Sequence, residues 1–378
     1  MKIAFDLRRI GNPGIGRYMK CLVEEILQQE PGHDYLLILP ADALDTIRSN
    51  GANVTRIPGE SRYYSIREQV ELPRILREHK VDLLHSPHFL LPLSRPCPTV
   101  VTIHDVVYIA YAQDMQSRLG RLYYSVMMHA SSRLATRIIT DSIFSKNEIV
   151  RLLGVDPGTV SVIYPAVDTA FRPVPDSSER DALLSEYGID REYILYAGIY
   201  KGRKNHAGLL RAFQHFLARG GEAQLVIAGP MNEGEHQLQH LADELRIADH
   251  IVFTGFITDS DLGTLYSAAR VYACPSLYEG FGFTVLEAMA CGVPVVCSDA
   301  ASLPEVAGDA AVYANPKNSE AFAEALYQIF TNDDLRQEMI ERGWRNLQRF
   351  SWRQAAARSL AAYSDALGNA IDPAIAFT

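Results

Sequence analysis

The chain has 378 residues, 48% hydrophobic and 21% charged, with a formal net charge of −9. That length accommodates two domains with separate cores, and the balance is that of a soluble globular protein. No run of about 18 apolar residues occurs, which excludes a spanning helix, and the acidic total excludes nucleic-acid binding by the chain as a whole.

The elements run in chain order as follows. MKIAFDLRRI at the N-terminus is too short and too charged for a secretory signal and reads as a first strand, so a cytoplasmic protein is expected. DYLLILP, ANVTRI, VDLLHS, PTVVTIH, RIITDS and VSVIYP read as further strands, with helices expected at about 17–30, 41–49, 63–79, 117–135 and 143–153. FRPVPDSSERD at 171–181 is polar and Pro- and Ser-rich, and reads as a linker. The alternation then restarts with YILYAG, QLVIAG, HIVFTG, RVYACP, VPVVCS and AAVYAN. Helices are expected at about 205–219, 233–247, 260–269 and 284–291, and amphipathic helices from 319 to 366. Strand–helix alternation of this kind implies an α/β chain of two doubly wound, Rossmann-like domains, at 1–172 and 173–352. The tail IDPAIAFT carries no readable signal.

Charge is uneven. Residues 1–175 hold about 20 basic and 18 acidic side chains, so the second half carries the acidic excess. Arg118, Arg121, Arg133, Arg137, Lys146 and Arg151 interleave with Tyr123, Tyr124, Met127 and Met128. Such a stretch is either an ordinary amphipathic helix or one that lies on an anionic membrane surface. Five cysteines form no CxxC pair and their number is odd, as in a reducing compartment.

Several motifs carry chemistry. GNPGIGRY at 11–18 follows a strand and opens a helix, as a phosphate loop does, but its glycine spacing is neither the dinucleotide fingerprint nor a P-loop. Arg17 is a phosphate partner or a surface charge. His104 leaves the carboxyl end of a parallel strand, where ligand crevices form, and Asp105 follows it. His85 and His88 have no third ligand near in sequence, so no metal site is expected there. GIYKGRKN places Arg203 and Lys204 at a helix start, where cations are unfavourable without an anion to bind. In GFITDSDLG, Asp259 is expected to cap the next helix, and Asp261 reads as a second helix-start acid.

EGFGFTVLE at 279–287 is the most informative segment. Glu279 and Glu287 flank a Gly-rich turn and a helix start, and Thr284 is the expected cap. Unpaired N–H groups at a helix start make an anion site, and two carboxylates beside it suit the hydroxyls of a sugar nucleotide.

CPSLYEGFGFTVLEAMACGVPVVCSD closely resembles the donor-site segment of the retaining glycosyltransferases of family 4, which have the GT-B fold. The likeness extends from the N-terminal glycine loop to about Ala314. It implies two Rossmann-like domains facing across a cleft. The N-terminal domain would bind the acceptor and be completed by a helix at about 353–378; the C-terminal domain would bind the donor. It implies that Glu279, His104, Lys204 and Arg203 are the catalytic residues. Donor binding would fall to Gly14, Gly16, Ile257, Gly280, Phe281, Gly282, Phe283, Thr284 and Glu287, with Phe256 beside Ile257 at the base. Many members carry an Arg where this chain has Ile199, which Lys201 or Arg203 would have to replace.

The resemblance is strongest to bacterial polysaccharide mannosyltransferases. It implies transfer of a hexose from a nucleotide-sugar donor, GDP-mannose favoured, with no cofactor and no metal. The acceptor would be a glycan or polyprenyl-linked oligosaccharide, with peripheral contact at the inner face of an anionic membrane and no nucleic acid. UDP-glucose or UDP-N-acetylglucosamine is the alternative donor. A GT-B epimerase or inverting transferase using Asp105 or Glu305, a nicotinamide dehydrogenase and a catalytically silent module are the other readings.

Overall fold

The computed structural model describes residues 1–368 other than 13, 50, 62–64, 66, 116 and 231–233. The first residues of the helices expected at 63–79 and 233–247, and the tail from 369, lie outside the described residues. The chain forms two compact units, Met1–Ala166 with the C-terminal segment from Phe350, and Val167–Arg349.

In the first unit β1 (Lys2–Asp6), α1 (Ile15–Gln29), β2 (Asp34–Leu39), β3 (Asn53–Pro58), α2 (Glu68–Glu78), β4 (Leu83–Ser86) and β5 (Thr99–Thr102) come first. They are followed by α3 (Val107–Ala110), α4 (Arg118–Leu134), β6 (Arg137–Thr140), α5 (Ile143–Leu153) and β7 (Val160–Val162). The seven strands are all parallel and run in the order β3-β2-β1-β4-β5-β6-β7. β4 and β5 are buried along their whole length, and β1, β2 and β6 at every position but the first, which is why these strands read as apolar runs rather than alternating ones. The helix expected at 41–49 is a single 3-10 turn, Ala41–Ala43. Its only buried side chain is Ile47, and one anchor gives a helix no apolar stripe to bury.

The second unit runs α6 (Ser178–Glu186), β8 (Tyr193–Ala197), α7 (His206–Ala218), β9 (Gln224–Ala228), α8 (Glu235–Glu244), β10 (Ile251–Gly255), α9 (Asp259–Ala268) and β11 (Val271–Cys274). It continues with α10 (Phe283–Ala290), β12 (Val295–Ser298), α11 (Leu303–Ala307), β13 (Ala311–Ala314), α12 (Ser319–Thr331) and α13 (Asp333–Leu347). Its parallel sheet has the order β10-β9-β8-β11-β12-β13. β8 and β9 are buried at every position and pack against α7 and α12 through Phe213, Phe216, Phe322 and Leu326.

α14 (Trp352–Ala366) returns to the first unit and packs on α1. Its anchor is Tyr363, fully buried, whose hydroxyl lies 2.6 Å from His85 Nδ1. His85 Nε2 is 2.9 Å from Thr102 Oγ1. Burial, with a contribution from the charge of His104, pulls the His85 pKa down to about 3, so the ring is neutral and both its nitrogens are engaged. Arg137 and Asp365 form an ion pair that ties the last turn of α14 to β6.

α4 explains the basic, aromatic stretch. Tyr124, Met127 and Met128 are core residues, whereas Leu119, Leu122 and Val126 are 80%, 62% and 56% exposed. The helix contains three arginines and no acidic residue. Met115, Leu119, Gly120, Tyr123 and Tyr124 line a cavity of about 340 Å³ beside it.

Candidate active site

In the second sheet the strand order reverses direction between β8 and β11, and loops leaving the carboxyl ends of strands at such a point form a crevice. Lys204 lies on the loop after β8 and Glu279 on the loop after β11. Lys204 Nζ donates to Glu279 Oε1 at 2.6 Å, and Ser276 Oγ donates to the same oxygen at 2.6 Å. The two side chains are 15% and 12% exposed. Burial pushes the Glu279 carboxyl upward, but the charge and hydrogen bond of Lys204, the Ser276 hydroxyl and the charge of Arg203 outweigh it and hold the carboxyl below its ordinary range.

The loops are tied together by their backbones. Leu277 N donates to Arg203 O at 2.7 Å, and Asn205 Nδ2 donates to Pro275 O and Pro316 O at 3.2 and 2.7 Å. Arg203 and Lys204 sit in a 3-10 turn, Gly202–Lys204, rather than opening α7. Asn205, with φ 58°, reverses the chain first, so α7 starts at His206. Ile199 is 44% exposed, and Lys201 is half-buried and pairs with no carboxylate among the described residues.

The Gly-rich turn leads into α10. Gly282, not Thr284, is the N-cap, with φ 110° and no side-chain cap. A Cβ on Gly282 would stand 2.9 Å from Leu303 Cδ2 as well as strain the backbone. Phe283 and Thr284 are the first two residues of the helix, while Val285 N already donates to Gly282 O at 3.0 Å. Ser302 Oγ donates to Glu279 O and Phe281 O at 2.9 and 2.7 Å, which clamps Gly280 and the turn around it. Glu287, one turn into α10, is 4% exposed, and Tyr266 donates to its Oε2 at 3.2 Å. Ile257 follows β10 beside Phe256, which is 76% exposed. The cap of α9 is Thr258, whose Oγ1 accepts from Asp261 N at 3.2 Å; Asp259 is the first helical residue.

In the first sheet the order reverses between β1 and β4. Arg9, after β1, lies 3.1 Å from His88 Nε2, after β4. Burial and the Arg9 and His104 charges hold the His88 pKa well below its ordinary value, so the neutral ring accepts from the guanidinium. Gly14 has φ 75° and open space where a Cβ would project. Gly16 is different: a Cβ there would lie 1.9 Å from Ile10 O, so packing of the loop alone requires this glycine. His104, just past β5, places Nδ1 2.6 Å from Asp141 Oδ2, just past β6. Asp105 Oδ1 accepts from Val107 N at 2.9 Å and holds the start of α3.

Sequence reasoning missed Ser276, Ser302, Tyr266, Asp141 and Arg9. One signal was available for Asp141, which ends a parallel strand as His104 does. Among the described residues no group of three His, Cys, Asp or Glu side chains is arranged to hold a metal ion, and no helix is long and apolar enough to cross a membrane.

Two family models match the chain, "Glycosyltransferase Family 4" over residues 13–171 and "Glycosyl transferases group 1" over residues 180–345. The O-antigen chain mannosyltransferase B of Escherichia coli is 31% identical over 382 residues, covering 96% of this chain and 99% of its own. A D-inositol 3-phosphate glycosyltransferase of Saccharomonospora viridis is 32% identical over 323 residues, covering 78% and 73%. The Anabaena protein HepE, solved in complex with UDP and glucose, has a TM-score of 0.74 at 19% identity, covering 97% of this chain and all of its own; the likeness concerns the fold.

Proposed function

Because the chain belongs to the family 4 glycosyltransferases, we propose that it transfers mannose from GDP-mannose, with retention, to a glycan or polyprenyl-linked oligosaccharide of a surface polysaccharide. The observation that carries the reaction class is the Lys204–Glu279–Ser276 cluster at the switch point, beside the Gly282 helix start. The preference for mannose rests on the likeness to the Escherichia coli mannosyltransferase.

The donor nucleotide binds the second unit and the acceptor the first. Glu287 accepts from the ribose hydroxyls, and the backbone near Phe256 and Ile257 meets the base. Glu279 accepts from hydroxyls of the transferred sugar, and His104 of the first unit donates to a sugar hydroxyl. The N–H groups of Phe281 to Thr284, with Arg203 and Lys204, face the diphosphate. Charge on the leaving diphosphate grows as the anomeric C–O bond breaks, so these donors stabilise the transition state more than the ground state. The acceptor oxygen bonds to the anomeric carbon from the same face, and its proton passes to the leaving phosphate oxygen. Electrostatic stabilisation by cations and a helix start is the work a divalent metal would do, and the reading is metal-independent. The arginines and exposed leucines of α4 support peripheral contact with an anionic membrane.

Thermal shift against a panel of nucleotides, in EDTA and with magnesium, tests the donor. A ligand at about 100 times its Kd adds about 2.7 kcal/mol. A guanine-selective shift in EDTA is expected. A uracil-selective shift overturns GDP-mannose, a shift needing magnesium overturns metal independence, and no shift by any nucleotide overturns the donor site.

A further inference from the structure

His104 and Asp141 each leave the sheet two residues past a register pair, Thr102 and Ile139, in the β5–β6 ladder. The sheet therefore carries both side chains past its edge at the same height. Asp141 is 2% exposed, and its backbone is fixed by the next residue, Ser142, which caps α5 by accepting from Ser145 N. Its Oδ2 meets His104 Nδ1 at 2.6 Å, while its Oδ1 has no hydrogen-bond partner. A buried carboxylate committed to one imidazole is a strong counter-charge for a protonated ring. On the other side of the ring, Nε2 is buried, with the Pro87 carbonyl near the ring but no closed hydrogen bond in this structure.

We propose that Asp141 is a positioning residue for the transfer reaction, holding His104 as an imidazolium whose Nε2–H donates to a sugar hydroxyl oxygen. This rests on the proposed role of His104 as a sugar contact. Asp141 leaves Nδ1 no role but donation, so Nε2 is a donor only when the ring is charged. The groups around the ring are Tyr18 from α1, edge-on at 4.7 Å, His85 from β4, His88 and the Pro87 carbonyl from the loop after β4, Asp105 on its own loop, and Asp141. Burial opposes the charge on His104, but the charge and hydrogen bond of Asp141, with Asp105 and the Pro87 carbonyl, outweigh it, and the pKa is raised above the ordinary value. The two neighbouring histidines, both held low, do not cancel this.

The test uses the full chain with Asp141→Asn, and Asp141→Ser as a second neutral variant should the first fail to fold. The His104 ring is titrated by NMR, its signals identified by their loss in His104→Gln. Removing the neighbouring carboxylate is expected to lower its midpoint by about one unit or more. The alkaline limb of kcat/KM for hexose transfer is expected to move down by the same amount, which a merely structural role would not produce. A titration midpoint and limb that stay in place in a folded variant, while His104→Ala cripples transfer, overturn the role of Asp141 alone. Undiminished transfer by His104→Ala overturns the placement of His104 and the proposal with it.

Discussion

Lys204 and Glu279, 75 residues apart in sequence, meet at 2.6 Å where two adjacent parallel strands end. The pair is mostly buried, so its partners are not interchangeable with solvent. It also joins the two groups that the proposed chemistry needs on opposite sides of the bond being broken, a cation for the diphosphate and a carboxylate for the sugar.

Breaking this pair from one side is expected to be costly. Lys204→Met leaves the Glu279 carboxylate with Ser276 as its main donor, at a cost of roughly 3 kcal/mol, whereas Lys204→Met with Glu279→Gln recovers part of that loss. Urea unfolding of the four proteins measures the coupling, and additive losses would contradict it. Because the folded Glu279 pKa is depressed, its stabilisation is fully present above about pH 4.3 and is lost as pH falls through the lower folded value. The single Lys204 change is also expected to lower kcat by about a hundredfold or more.

The His85–Tyr363 contact predicts an acid sensitivity of the first unit at milder pH. The folded His85 pKa, about 3, lies below the value near 6.5 of the unfolded chain. Its contribution is therefore complete above about pH 6.5 and lost as pH falls toward about 3. Melting temperature should decline through that window, and the decline should flatten in His85→Gln. Tyr363→Phe should cost about 1–2 kcal/mol at pH 7 by leaving His85 Nδ1 unpaired. An unchanged pH profile in His85→Gln would remove His85 as the cause.

The exposed face of α4 predicts binding to anionic vesicles. Each arginine near the surface contributes about 1 kcal/mol, and binding weakens with salt. Sedimentation with phosphatidylglycerol-containing vesicles should fall for Arg118→Gln with Arg121→Gln, and separately for Leu119→Gln with Leu122→Gln. Equal binding to neutral vesicles, or no effect of either pair, would rule this face out.

The sequence alone determined the two α/β units and the strand ends on which His104, Lys204 and Glu279 stand. Strand–helix alternation and the glycine turn at Gly280–Gly282 are local properties, set by apolar runs and by backbone that only glycine adopts freely. Caps were already less legible: Thr284 and Asp259 are good capping residues, but Gly282 and Thr258 hold those positions because the backbone path decides which residue ends the turn. The pairings were decided only by the tertiary structure. Asp141 meets His104, Arg9 meets His88, and Tyr363 meets His85 across 278 residues, because β6 lies beside β5, β4 beside β1, and the last helix returns to α1. Strand order and register arise from how whole elements pack, and no local pattern of residues encodes which strand end will stand next to which.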